Sequence, residues 1–266
     1  MARVWVLAAV AAAGSAVMVS LAGCSSGPAA QHDSGAVQTG LGGSAVAPAG
    51  APQASASATT MRLGYLAAIQ DGIALVGLQE QLFQRDLGGS VVLAPLAYSS
   101  AAAEAAALLH GQLDAAYVDP VDAVAAWQGS HGEFRIVAGA SSANGTATSV
   151  LLVSTKLLTA KDDEVQGLLK GQVEAAELLN TNRTSAQAAI GAELAELGHT
   201  TSPTQLASLF VGITFTNDPM AASVASQAQQ AVAAGRLRPV TRLSGIYDVG
   251  PLNRLLRSAG LLQVAA

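Results

Sequence analysis

The sequence is poor in the residues on which several classes of protein depend. It has one cysteine in 266 residues, which excludes an internal disulfide framework and a cysteine-ligated metal cluster. Aromatic residues make up 4% of the chain, too few for a base-stacking platform or an aromatic sugar-binding groove. Charged residues make up 12% of the chain, and the net charge is −5. A negative net charge provides no positive electrostatic potential to attract the phosphate backbone of nucleic acid. We therefore expect no nucleic-acid partner.

Sequence motifs for catalysis and for cofactors are missing as well. The four histidines show neither the H-x-x-x-H nor the H-E-x-x-H spacing of metal sites. The chain has no G-x-S-x-G nucleophile elbow, no Walker loop, and no G-x-G-x-x-G after the first predicted strand. We predict a protein that is not an enzyme and that uses no cofactor and no metal. Because 51% of the residues are apolar, we expect it to fold around a core.

The longest apolar run stands at the amino terminus. Arg3 precedes residues 4–19, which are almost wholly apolar, and Leu21-Ala22-Gly23-Cys24 follows. This order predicts a signal peptide over residues 1–23 that ends in a bacterial lipoprotein box, with Cys24 lipidated. An uncleaved membrane helix is the alternative, because the run is long enough to span a bilayer. Lipidation would hold the mature chain by acyl chains on the outer face of the cytoplasmic membrane.

A flexible tether is predicted between the lipid and the folded part. Residues 25–60 are mostly Gly, Ala, Ser, Pro and Gln, with Asp33 as their only acid and no Lys or Arg. A chain of this length spans roughly 30–35 Å root-mean-square. We therefore expect a lipidated tether over residues 24–60 and a folded domain over residues 61–266.

The stretch of residues 91–118 predicts a strand, a helix and a second strand. Residues 91–97 are apolar enough for a buried strand, residues 101–110 are rich in Ala and Leu, and residues 114–118 form the next apolar run. Such a crossover joins two parallel strands. Ligands bind outside the carboxyl ends of parallel strands, so the junction at residues 98–101 is predicted to be an anion site at a helix amino terminus.

The same junction has a simpler interpretation. Ser100 stands where a helix N-cap is expected, and Glu104 follows at a distance that suggests a capping interaction. In that case Ser99 and Ser100 bind no ligand.

Further strands are predicted on both sides of this unit. Residues 61–66 and 134–138 read as strands, and residues 72–83 as a helix. The loop at residues 139–148 carries Ser141 and Ser142. We expect an α/β fold with a parallel sheet flanked by helices, in which four strand ends meet on one rim. Beyond a returning strand at residues 150–154 the chain should be helical over residues 163–179, 184–197, 204–210, 218–234 and 251–259.

Several short segments lie in a definite order along the folded part: Arg62-Leu63-Gly64-Tyr65, Gly111-Gln112-Leu113-Asp114-Ala115-Ala116, Leu151-Leu152-Val153-Ser154, Phe215-Thr216-Asn217-Asp218-Pro219 and Gly245-Ile246-Tyr247-Asp248. In order and spacing they resemble the solute-binding proteins of nitrate, sulfonate and taurine ABC importers. The resemblance covers residues 61 to about 260. It implies a type II periplasmic-binding-protein-like fold, a small anionic or zwitterionic ligand, and permease and ATPase subunits as partners.

In that family an oxyanion is held between two lobes by the loops that follow the strands. Carried over to this sequence, the ligand-binding residues are Gln70, Ser99, Ser100, Asp119, Pro120, Ser141 and Ser142. Asp119 departs from the pattern, because a carboxylate repels an anion. Either the ligand also carries an amino group, as taurine does, or the Asp119 side chain points away.

A second departure concerns the size of the chain. The family crosses into a second lobe after the first, whereas residues 145–148 here run directly into the returning strand. The resemblance thus implies that about 100 residues, one ordinary domain, are absent. We therefore predict mainly one lobe, residues 61–148, followed by the returning strand and helices of residues 149–266. Binding should be weak on such an open site. A non-transport interaction or sensor lipoprotein is the alternative function.

Overall fold

A six-stranded sheet organises residues 58–240 and 242–266, the part of the chain that the computed structural model describes. Its order is β2-β1-β3-β5-β4-β6. The strands are β1 Thr59–Leu66, β2 Val91–Tyr98, β3 Ala115–Val118, β4 Phe134–Ala143, β5 Thr146–Ser154 and β6 Ile213–Phe215. The helices are α1 Gly72–Gln79, α2 Leu82–Leu87, α3 Ala101–Leu109, α4 Pro120–Gly129, α5 Thr155–Ala160, α6 Asp162–Thr181, α7 Arg183–Glu196, α8 Pro203–Leu209, α9 Ala221–Ala233 and α10 Gly250–Ser258.

The sheet is mixed and packs helices on both faces. Strands β2 and β3 both pair parallel with β1, whereas β5 runs antiparallel to its neighbours β3 and β4, and β6 antiparallel to β4. The predicted α/β class is confirmed, but the expectation of a wholly parallel sheet is wrong. The physical reason is that β5 returns from β4 through a tight turn, and such a hairpin joins only antiparallel strands.

The turn between β4 and β5 replaces the loop predicted at residues 139–148. Asn144 and Gly145 form it, and both have positive φ, 51° and 75°. Two-residue hairpin turns of this kind favour Asn-Gly, since both central residues need positive φ. The prediction of a loop was therefore wrong: β4 continues to Ala143, so Ser141 and Ser142 lie inside it.

Strand β2 is present where it was predicted, but it is not buried. It pairs with β1 at one edge of the sheet, and Val92 and Leu96 are 50% and 39% exposed. Pro95 stands in the middle of β2. An edge strand tolerates proline because the missing backbone N–H is not needed for a hydrogen bond to a neighbouring strand. The apolar composition of β2 therefore predicted a strand correctly and its burial wrongly.

The core has two layers, one on each face of the sheet. Strand β3 shows the division: Ala115 and Tyr117 belong to the cluster under α1, α6 and α7, and Ala116 and Val118 to the cluster under α4 and α9. All four residues are buried. This double burial explains why β3 reads as a continuous apolar run in the sequence.

The helical second half is confirmed, with each predicted helix present to within a few residues. The helix predicted over residues 72–83 is instead two helices, because Gln81 takes a left-handed conformation with φ 54° between α1 and α2. Strand β1 begins at Thr59, two residues inside the predicted tether. The predicted signal peptide and Cys24 lie outside the described residues. Within the described part, the helices are too short or too polar to span a bilayer.

Candidate ligand-binding crevice

The carboxyl ends of four strands meet on one rim of the sheet, as predicted. Strands β1, β2 and β3 are parallel, and β4 shares their direction because β5 is antiparallel to both β3 and β4. A crevice of about 510 Å³ opens at this rim. Most of its lining comes from the strand ends and the helix starts that follow them, with Thr148 of β5, Ile213 of β6 and a residue after α9 added: Leu66, Gln70, Asp71, Ala101, Asp119, Val121, Asp122, Thr148, Ile213 and Arg236.

The structure places two of the seven predicted ligand-binding residues in this crevice. Gln70 and Asp119 line it. Pro120 is buried at the first turn of α4, and Ser99 and Ser100 are exposed beside the lining residue Ala101. The rim was therefore predicted correctly, and two of the seven residues line the crevice that opens there.

Ser100 is the N-cap of α3. Its Oγ accepts a hydrogen bond of 3.3 Å from the Ala103 N–H, in the extended conformation typical of a cap. The simpler interpretation of this junction is thus supported by the geometry. The capping role suggested for Glu104 is wrong, because its carboxyl turns into the protein and caps nothing.

Ser141 and Ser142 are held inside the sheet. The Ser141 hydroxyl donates to the backbone carbonyl of Gln70 at 2.7 Å and lies 2.7 Å from Oγ1 of Thr148. Ser142 is 6% exposed and pairs with Thr214 in the ladder between β4 and β6. Ser141 therefore fixes the loop that carries Gln70, instead of reaching the crevice itself.

Asp71 is a lining residue that the sequence analysis did not single out. It stands between β1 and α1, where its Oδ2 accepts from the Leu66 N–H at 2.8 Å and its Oδ1 from the Ser149 hydroxyl at 2.7 Å. Burial raises the pKa of Asp71 to about 7, although both hydrogen bonds lower it. This carboxyl is consequently close to half protonated at neutral pH.

Two more carboxyls come from the start of α4. Asp119 is the N-cap, and its Oδ1 accepts from the Val121 N–H at 2.7 Å. Asp122 lies in the first helical turn, and burial together with the Asp119 charge raises the pKa of Asp122, while the Arg236 charge lowers it. Acids in a first turn are ordinarily explained by the helix dipole, so their spacing alone did not reveal a site.

A fourth carboxyl is buried near the crevice, outside its lining. Glu104 on α3 is fully buried. It packs so closely against Gly64 of β1 that a Cβ atom added at Gly64 would lie 2.9 Å from Oε1 of Glu104. Within the described residues, neither of its oxygens has a hydrogen-bond partner. Burial raises the pKa of Glu104 to about 9, and the charges of Asp71 and Asp122 add to the increase. Glu104 is therefore a neutral acid at pH 7.

The crevice is acidic overall. Among the described residues that line it, three are aspartates and Arg236 alone carries a positive charge. Arg236 follows α9, far away in sequence, so no local pattern could have assigned it to this rim. The described residues contain no group of three or more His, Cys, Asp or Glu arranged to hold a metal ion. The arrangement suits an organic ligand with at least one positively charged group.

Solved structures resemble this fold over most of their length. The ligand-binding component of an ABC-type import system from Staphylococcus aureus, with zinc bound, is 10% identical, with a TM-score of 0.58 over 73% of this chain and 97% of that chain. The periplasmic nitrate-binding protein NrtA from Synechocystis PCC 6803 is 8% identical, with a TM-score of 0.62 over 76% and 89%. The alkanesulfonate-binding protein SsuA from Xanthomonas axonopodis pv. citri, bound to MOPS, is 10% identical, with a TM-score of 0.54 over 70% and 96%.

The chain has the periplasmic-binding-protein fold. At identities of 8–10% the likeness establishes this fold, and the ligand has to be argued from the crevice itself. No protein-family model matches the sequence, and no protein of curated function matches it.

Proposed function

We propose that this protein is the extracytoplasmic solute-binding lipoprotein of an ABC importer, which passes a small solute to permease and ATPase subunits. The observation that carries the proposal is the polar crevice at the rim of a periplasmic-binding-protein fold, where four strand ends meet. The apolar run before Cys24 supports secretion and lipid anchoring on the outer face of the cytoplasmic membrane. The tether over residues 25–60 lets the domain reach a membrane partner.

Of the oxyanions that the resemblance suggests, taurine fits the crevice best. Nitrate and a plain sulfonate would face the carboxyls of Asp71, Asp119 and Asp122 with a single guanidinium, that of Arg236, to oppose them. Taurine carries an ammonium group for the carboxyls and a sulfonate for Arg236. Both charged groups of taurine therefore have a partner of opposite charge on the rim.

The chain is proposed to act as mainly one lobe. The described residues form one sheet, which is the observation that supports this proposal. A ligand on an open rim stays partly hydrated, and each hydrogen bond then contributes little beyond what water offers. We expect a dissociation constant in the millimolar range.

The alternative, a non-transport interaction or sensor lipoprotein, predicts an apolar patch at the rim. The crevice is instead lined by an amide, a hydroxyl, three aspartates and an arginine, next to Leu66, Ala101, Val121 and Ile213. A polar lining of this kind favours solute binding.

An uptake measurement tests the proposal. Deleting the gene in its source cells should reduce uptake of labelled taurine, and the full-length protein supplied from a plasmid should restore it. The Cys24→Ala variant should restore it poorly, because the domain is no longer held beside its permease. Unchanged uptake after deletion would contradict the importer role.

A further inference from the structure

We propose that the crevice recognises an ammonium group, which it seats among the lining side chains of Asp71, Asp119 and Asp122, beside the buried carboxyl of Glu104. The inference rests on the proposed solute-binding function and names the chemical class of its ligand: primary-amine solutes, either cationic or zwitterionic. An oxyanion group is then the secondary feature of the ligand, and the amine is the feature that the protein selects.

The first argument is the charge of the lining. Asp119 and Asp122 stand one turn apart at the start of α4, and Asp71 lines the crevice from the junction of β1 and α1. Arg236 is the single cation among the described lining residues. Carboxylates that converge on one pocket raise the free energy of one another until a cation enters.

The second argument is independent of the lining and comes from Glu104. Its side chain is fully buried, and in the described part of the chain both of its oxygens lack a hydrogen-bond donor. An unpaired buried polar group is costly, and proteins rarely keep one without a use for it.

Glu104 lies beside the crevice. It lies three residues after Ala101, which lines the crevice, so the two share one face of α3. Helical side chains lean toward the amino terminus of their helix, which carries the Glu104 carboxyl toward the Ala101 end. A Cβ added at Gly64, two residues before the lining residue Leu66 on β1, would lie 2.9 Å from Oε1 of Glu104, and the charges of Asp71 and Asp122 both raise the pKa of Glu104. A cation in the crevice therefore pairs with the lining aspartates and also favours ionisation of the buried carboxyl, which is neutral without it.

An ammonium group fits better than a metal ion. The described residues include no set of three or more ligands with metal-binding geometry, although three carboxyls line the crevice and Glu104 is buried beside it. An ammonium needs no such geometry, because its three N–H donors rotate to meet acceptors in several directions. The volume of about 510 Å³ leaves room for a small organic solute around it.

A panel of four ligands tests the inference on the full-length protein. Taurine carries both groups, ethanolamine has the amine without the sulfonate, ethanesulfonate has the sulfonate without the amine, and nitrate is a plain oxyanion. Dissociation constants come from ligand-dependent shifts of thermal denaturation at constant ionic strength. We expect taurine and ethanolamine to bind, and ethanesulfonate and nitrate to bind at least about tenfold more weakly, a difference of roughly 1.4 kcal/mol.

Matched variants separate the crevice from the net charge of the protein. Asp119→Asn and Asp122→Asn each should raise the dissociation constant for taurine and ethanolamine about tenfold. Asparagine caps a helix as well as aspartate does, so the fold of Asp119→Asn should be kept, and its unliganded denaturation midpoint checks this. Asp163→Asn removes the same charge from an exposed site on α6 and should leave the dissociation constants unchanged.

The outcomes distinguish this inference from the proposed function. If ethanesulfonate binds as tightly as taurine and the two crevice variants bind normally, ammonium recognition is wrong while solute binding stands. If ethanolamine binds and depends on Asp119 and Asp122, but taurine uptake does not depend on the gene, ammonium recognition stands and the importer role fails. If neither amine binds, the inference is overturned.

Discussion

Replacing Glu104 by glutamine should stabilise the folded protein at neutral pH. Glutamine has the same size, and its amide is buried at a cost similar to that of a neutral carboxyl. It differs in that it never has to be protonated. The pKa of Glu104 rises from an ordinary value of 4.5 to about 9 in the fold, so at pH 7 the folded protein must hold a proton that the unfolded chain releases.

The size of the effect follows from that difference. Each pKa unit corresponds to about 1.4 kcal/mol, and the gap between the ordinary pKa of Glu104 and pH 7 therefore amounts to roughly 3 kcal/mol. Since natural domains are stable by only about 5–15 kcal/mol, a change of this size should be easy to measure.

The pH dependence gives the prediction a second, independent check. Between about pH 4.5 and pH 9 the folded state keeps the Glu104 proton and the unfolded state has lost it, so the stability of the wild-type protein falls as the pH rises. Asp71, whose pKa is raised from 3.8 to about 7, adds a fall of the same sign at lower pH. The Glu104→Gln variant should lose the fall between pH 7 and pH 9 and keep the one that Asp71 causes.

Urea denaturation at several pH values is the assay. Glu177→Gln, which changes an exposed glutamate on α6, is the matched control and should leave both the stability and its pH dependence unaltered. Two results would refute this reasoning: a Glu104→Gln variant less stable than the wild-type protein at pH 7, or one whose stability still falls above pH 7. Either would mean that the buried Glu104 carboxyl is ionised in the fold.

Three further predictions concern the cap, the anchor and the ligand. Ser100→Ala should lose about 0.5–2 kcal/mol of stability without a change in taurine affinity, since the hydroxyl caps α3; unchanged stability with lost binding would make Ser100 a ligand contact. Cys24→Ala should no longer partition with membranes, and a processed variant that stays membrane-bound at high salt would contradict lipid anchoring. Taurine at about 1 mM should raise the denaturation midpoint by at most a few degrees, because a ligand concentration near the dissociation constant contributes well under 1 kcal/mol. A large saturable shift at micromolar taurine would show that the site is closed from the other side.

The elements that the sequence predicted well are those with strong local signals. Strand β3 reads as an apolar run, α4 begins with an Asp-Pro cap and first turn, and α6 has apolar residues at helical spacing. These signals depend on residues that are neighbours in the chain. They also predicted the rim, because residues that follow parallel strands come to one edge whatever the rest of the fold does. Gln70 and Asp119, which the resemblance assigned to the site, line the crevice at this rim.

The remaining part of the site depended on contacts between distant parts of the chain. Ser141 looked like a rim hydroxyl, but the hairpin at Asn144 and Gly145 carries it into the sheet and turns its hydroxyl to Gln70. Glu104 looked like a capping residue, and packing against β1 buried it instead. The sequence by itself determined which segments form strands and helices and where four strand ends converge. Only the tertiary structure decided the charge of the crevice, because burial and the approach of Asp71, Asp122 and Arg236 are set by which elements pack together.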